Sequence, residues 1–174
     1  MNKKQFEHAV RAAGAILGDD KVLVIGSQAI HASIDFNFKE AERSIELDVS
    51  SLDDPDGRKA DLIDGSIGEL SMFQDTFGYY AQGVTPETAT LPVGWRGRLI
   101  SYLTPGTNGV TACCLESHDL WISKAVAGRP KDKEFCQALI IRNLVETGLL
   151  RERLEMTEGL SPAVRKRVLI LIGK

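Results

Sequence analysis

The chain has few of the devices that staple, anchor or charge a protein from outside its core. It holds three cysteines, Cys113, Cys114 and Cys136, two of them adjacent. Adjacent cysteines rarely bridge each other, so no disulfide framework is expected and all three read as reduced, buried thiols. The three histidines, His8, His31 and His118, share no metal-ligand spacing with one another or with cysteine, which excludes a zinc site. No apolar run approaches membrane-spanning length; "VLILI" near the end is far too short. The opening "MNKKQFEHAV" is charged and carries no signal-peptide apolar region, so a cytoplasmic protein without membrane contact is expected. Basic charge is not in excess either. The net charge of −3 provides no general field for nucleic acid, and such a partner would need a local patch.

What is present is globular. Hydrophobic residues make up 43% and charged residues 26%, which argues against disorder. The length of 174 residues suits one domain, or one domain with a helical appendage. Phe6, Val10, Ala13 and Leu17 recur at helical spacing before Gly18. Val22 to Ile25 is a continuous apolar run ended by Gly26-Ser27, a buried strand entering a tight turn. "QAIHASIDF" suits a short helix, "IELDVSS" a second strand, "DDPDG" a turn, and "RKADLIDGSIGELSMF" one helix weakened by Gly65 and Gly68. Two or three short strands are expected between Tyr79 and Leu103, and another over Val110–Leu115. The composition then becomes helical. Ser117 is a candidate cap for "HDLWISKAVA", stopped by Gly128. Pro130 starts a helix that Gly148 closes, and Ser161-Pro162 starts the last one.

Two stretches suggest chemistry. In "RSIELDVS", alternation puts Glu46 and Asp48 on one strand face and Ile45, Leu47 and Val49 on the other. Such a face is either a wet acidic surface or a pair of carboxylates aimed at a divalent cation, since Mg²⁺ takes one or two carboxylates plus substrate phosphates. Upstream, Gly26-Ser27 leaves backbone N–H groups and a hydroxyl for phosphate oxygens, or simply makes the turn.

Buried strand, Gly-Ser, helix, then a strand with acid-hydrophobe-acid is the order found in the nucleotidyltransferase superfamily related to polymerase beta, which this chain resembles through "VLVIGS" and "IELDV". "RSIELDV" is similar to the Arg-Ser/Thr-x-Asp-x-Asp form of abortive-infection type nucleotidyltransferase toxins. "HDLWISKAVAGRPKDKEF" resembles a segment of an uncharacterised bacterial branch of that superfamily. The resemblance implies metal ligation by Glu46 and Asp48, and phosphate contacts from Gly26, Ser27, Arg43, Lys124 and Arg129. It implies a catalytic role for Lys124 and Asp132, the latter orienting Lys124 or activating the acceptor. Two departures stand out. The first acid is Glu46 where the family usually has Asp, and the region expected to hold a third acid offers only Glu87, which is not assigned. From residue properties alone, Lys124 is equally a snorkelling side chain and Asp132 a helix cap. Trp95 reads as a core residue flanked by solvated Arg96 and Arg98, with base stacking the alternative.

The expected architecture is an α/β (α+β) nucleotidyltransferase-like mixed-sheet core over 1–115, with a C-terminal helical segment over 116–174 packed on it. The implied activity is transfer of a nucleotidyl group from a nucleoside triphosphate to a hydroxyl of RNA (tRNA included), protein or a small molecule. Mg²⁺ is the implied cofactor, with Mn²⁺ as substitute, and a cognate toxin or antitoxin the implied partner. The rival expectation is an inactive nucleotide-binding or antitoxin-like protein of the same fold.

Overall fold

The computed structural model describes residues 1–54 and 56–173. Pro55, inside the turn expected at "DDPDG", lies outside the described residues. Two compact units emerge: residues 1–88 with 99–115, and residues 89–98 with 116–174.

The first unit is α/β. Helix α1 (Lys3–Leu17) opens with a capping box, in which Asn2 accepts from Gln5 N–H and Gln5 reaches back. Gly18, at φ 67°, closes it as expected. Its stripe of Phe6, Ala9, Val10 and Ala13 is fully buried and packs on the sheet. Among the described residues the sheet has five strands, β1 (Lys21–Val24), β2 (Glu46–Ser51), β3 (Tyr80–Gly83), β4 (Ile100–Tyr102) and β5 (Thr111–Cys114). Their order is β3-β2-β1-β5-β4. β1 runs antiparallel to β2 and parallel to β5; β2 runs parallel to β3, and β4 antiparallel to β5. A parallel neighbour needs a crossover, which α3 (Arg58–Ile67) and α4 (Met72–Phe77) supply between β2 and β3. A four-residue helix, α2 (Lys39–Glu42), precedes β2.

In this unit three local expectations change. The single helix expected from Arg58 breaks in two. A Cβ on Gly68 would overlap the Asp64 backbone, Leu70 takes a left-handed φ of 62°, and Ser71 caps α4 by accepting from Gln74 N–H. The short helix after Gly26 is a 3-10 helix, Ser27–Ala32. Ile45 does not join Leu47 and Val49 inside; it precedes β2 and is 47% exposed, while those two are fully buried.

The second unit is helical: α5 (Ser117–Ala127), α6 (Pro130–Ile141), α7 (Thr147–Glu155) and α8 (Pro162–Ile172). Its core is Leu120, Trp121, Leu139, Leu150 and Leu154, with the Trp121 indole donating to Cys136 O at 3.0 Å. The cap of α5 is Glu116 rather than Ser117, because its longer carboxylate reaches the N–H groups of His118 and Asp119. The α6 helix ends before Asn143, which adopts φ 55°, and Gly148 sits inside α7. Asp119 is fully buried and gathers two arginines: Arg98 donates to both its oxygens (2.8 and 3.1 Å), and Arg153 Nε lies 3.2 Å away. Arg98 is therefore not a solvated flank of Trp95; Arg96 is, with its guanidinium 4.7 Å over the Trp95 ring. All three cysteines are buried and unbridged, and burial pushes their thiols up. Among the described residues no helix is long and apolar enough to cross a membrane.

Candidate functional site

In the first unit the acidic strand and the glycine-serine turn meet. The β1–β2 ladder pairs Val24 with Val49, and one step further Ile25 N–H donates to Asp48 O at 3.3 Å. That step brings Gly26 against the Asp48 side chain, where a Cβ on residue 26 would overlap Oδ2. Only glycine leaves room for the carboxylate beside the turn. Glu46 and Asp48 are half-buried on one face of β2, opposite buried Leu47 and Val49. The alternation read from the sequence thus places both acids together, with Gly26 beside one of them. Ser27 follows as the first residue of the 3-10 helix, and exposed Arg43 ends α2 just before the strand.

Gln28 gives this corner its shape, a role the sequence pattern does not reveal. Fully buried, it donates through Nε2 to Ala41 O (2.9 Å) and Ser44 O (3.3 Å), tying the 3-10 helix to the segment that enters β2. His31 Nε2 lies 3.1 Å from both Gln28 Oε1 and Met1 O, so that nitrogen carries the hydrogen. Burial lowers the His31 pKa to about 4, which keeps the ring neutral near pH 7. The Met1 ammonium donates to the carbonyls of Ala41, Glu42 and Ser44.

β3 completes the face. In its parallel register Tyr80 stands beside Glu46 and Gln82 beside Asp48. Burial, and then the charges of Glu46, Glu69 and Asp48, raise the Tyr80 phenol, so it stays a neutral donor. Glu87, the one acid of the region expected to hold a third, lies beyond β3 on an exposed 3-10 turn, Pro86–Thr88.

The other candidate residues form a cluster in the second unit. Lys124 on α5 is 3.9 Å from Asp132 Oδ1 on α6. Asp132 is buried and accepts from Arg129 Nε (2.7 Å), Nη2 (3.3 Å) and backbone N–H (3.3 Å). Asp132 thus caps α6 and also binds both cations. His118, further up α5, is occupied at both ring nitrogens: Nδ1 lies 2.5 Å from Glu116 Oε1 and Nε2 accepts from Glu146 N–H at 2.9 Å. Burial pushes Glu116 up, but hydrogen bonds from the His118 ring and from backbone N–H groups bring it below the usual carboxylate range.

Among the described residues no three His, Cys, Asp or Glu side chains gather as a metal cage. Two carboxylates on one strand, with a glycine turn beside one, fit an ion that draws its remaining ligands from substrate and water, as Mg²⁺ does. A family model described as "Nucleotidyltransferase of unknown function (DUF6036)" matches residues 5–168. No curated protein and no solved structure matches the chain.

Proposed function

This chain belongs to that nucleotidyltransferase family, and on that premise we propose that it transfers a nucleotidyl group from a nucleoside triphosphate to an acceptor hydroxyl. The observation that carries the reading is the meeting of Asp48 with Gly26 on the face that also bears Glu46. Glu46 and Asp48 would hold Mg²⁺, or Mn²⁺ in its place, and the bound cation would neutralise phosphate charge. Gly26 and Ser27 would receive phosphate oxygens through backbone N–H and hydroxyl, with Arg43 adding charge from the approach to β2. Within the helical unit, Lys124 and Arg129 would offer positive charge to phosphate, and Asp132 would hold Lys124 in place. In the reaction, the acceptor oxygen bonds to the α-phosphorus, and the bond from that phosphorus to the bridging oxygen breaks. Pyrophosphate leaves, and the hydroxyl proton is released to water. RNA (tRNA included), a protein and a small molecule are the acceptor classes to test, and a cognate toxin or antitoxin is the partner class.

The test is transfer of label from each α-labelled nucleoside triphosphate to tRNA and to candidate proteins, with Asp48→Asn beside the wild type. Label transfer that Asp48→Asn abolishes supports the proposal; equal transfer by the variant overturns the metal assignment. A second reading, a nucleotide-binding or antitoxin-like protein without catalysis, draws support from neutral Gln82 beside Asp48. It predicts nucleotide binding that depends on Asp48 but no transfer to any acceptor.

A further inference from the structure

We propose that Gln82 sets the capacity of the acidic face at one divalent cation. The inference rests on the nucleotide reading above and deepens it. Two doubly charged ions a few ångströms apart repel strongly, and sites that hold a pair surround it with enough carboxylate to offset that repulsion. On this face β2 supplies two acids, Glu46 and Asp48. On β3 the two residues paired with those acids are a phenol and an amide, Tyr80 and Gln82. Neither brings a negative charge. A phenol is neutral near pH 7 without any help from its surroundings. Glu69 is felt by Tyr80, yet among the described residues it joins no group of three acids that could hold a metal.

The register that puts Gln82 beside Asp48 is locked. Gly83, the next residue, lets α3 approach so closely that a Cβ there would overlap Ala60 O. Its N–H donates to Asp64 Oδ1 on α3 at 2.7 Å. A slip of one residue along β2 would place a side chain in that contact and break that hydrogen bond. On the other side, Tyr80 N–H donates to Ile45 O and Val84 N–H to Val49 O, both at 3.0 Å. The exposed amide of Gln82 therefore keeps its place beside the acid, where it can hydrogen-bond a substrate oxygen but cannot balance a second cation.

The test counts Mn²⁺ on the full chain with an α,β-methylene nucleoside triphosphate, which cannot transfer its nucleotidyl group. Electron paramagnetic resonance separates an isolated ion, with a six-line spectrum, from a spin-coupled pair. The wild type and Gln82→Ala should each bind one Mn²⁺ with the isolated spectrum. Gln82→Glu, which adds a carboxylate at nearly constant shape, should bind two and show coupling. Two ions on the wild type, or an unchanged single ion on Gln82→Glu, overturns the proposal and leaves the nucleotide reading standing. No bound Mn²⁺ on the wild type, with or without the analogue, overturns both.

Discussion

The two units handle buried aspartate in opposite ways. In the helical unit Asp119 is fully buried between Arg98 and Arg153, and Asp132 is buried against Arg129 with Lys124 beside it. Both of these buried acids have countercharges from the chain itself. In the α/β unit Asp48 is half-buried beside a glycine, and its carboxylate takes part in no ion pair or side-chain hydrogen bond among the described residues. A carboxylate that the fold has already neutralised is structural. One that the fold shelters and leaves unneutralised is suited to a cation from outside.

This contrast can be broken by experiment, starting with the largest change in stability. Asp119→Ala should lower unfolding stability by ~3–5 kcal/mol, because it leaves two arginine heads without their shared acid. Urea denaturation measures that loss, and a change below ~1 kcal/mol would remove the structural role given to Asp119. Acid should act next, through His31. Its folded pKa, about 4, lies below the usual 6.5 of a free imidazole, so the unfolded chain binds the proton first as pH falls. Stability should fall between pH 6.5 and about 4, by up to roughly 3 kcal/mol, and the slope should flatten in His31→Gln. Gly26→Ala should cost ~1–3 kcal/mol by overpacking and also abolish nucleotide binding, since the new Cβ displaces the Asp48 carboxylate. Melting curves and calorimetry with Mg²⁺ and each nucleoside triphosphate separate those effects. Asp48→Asn should change stability least, within ~0.5 kcal/mol, while removing Mg²⁺-dependent binding. A large stability loss in that variant would place Asp48 with Asp119 among the structural acids.

Much of this was legible in the sequence where the signal is local. The run ending at Ile25, the alternation of Glu46 to Val49 and the Ser161-Pro162 start each depend on neighbouring residues, and the structure has them. Ile45 has the right spacing to be inside, but β2 begins one residue later and leaves it exposed. Glu116 displaced Ser117 as the cap because a longer acid one position earlier reaches two N–H groups. The acid pair and the Gly26-Ser27 turn could be proposed from spacing and family resemblance; Gln82 and Gln28 could not. Gln82 meets Asp48 through a parallel pairing that follows from sheet order, which periodicity does not encode. Gln28 was equally hidden, since its partners Ala41 and Ser44 offer only backbone carbonyls, which every residue has.

The hydrogen bond from Gly83 to Asp64 has a consequence for self-association. β3 is an edge of the sheet, and an edge offers its outward N–H groups to any passing strand. With Tyr80 and Val84 donating inward to β2, the Gly83 N–H points outward, and the Asp64 carboxylate already occupies it. A strand from a second molecule would have to displace that acid and face its charge. Asp64→Ala would uncover this edge, and aggregation on prolonged heating would reveal the protection that one side chain provides.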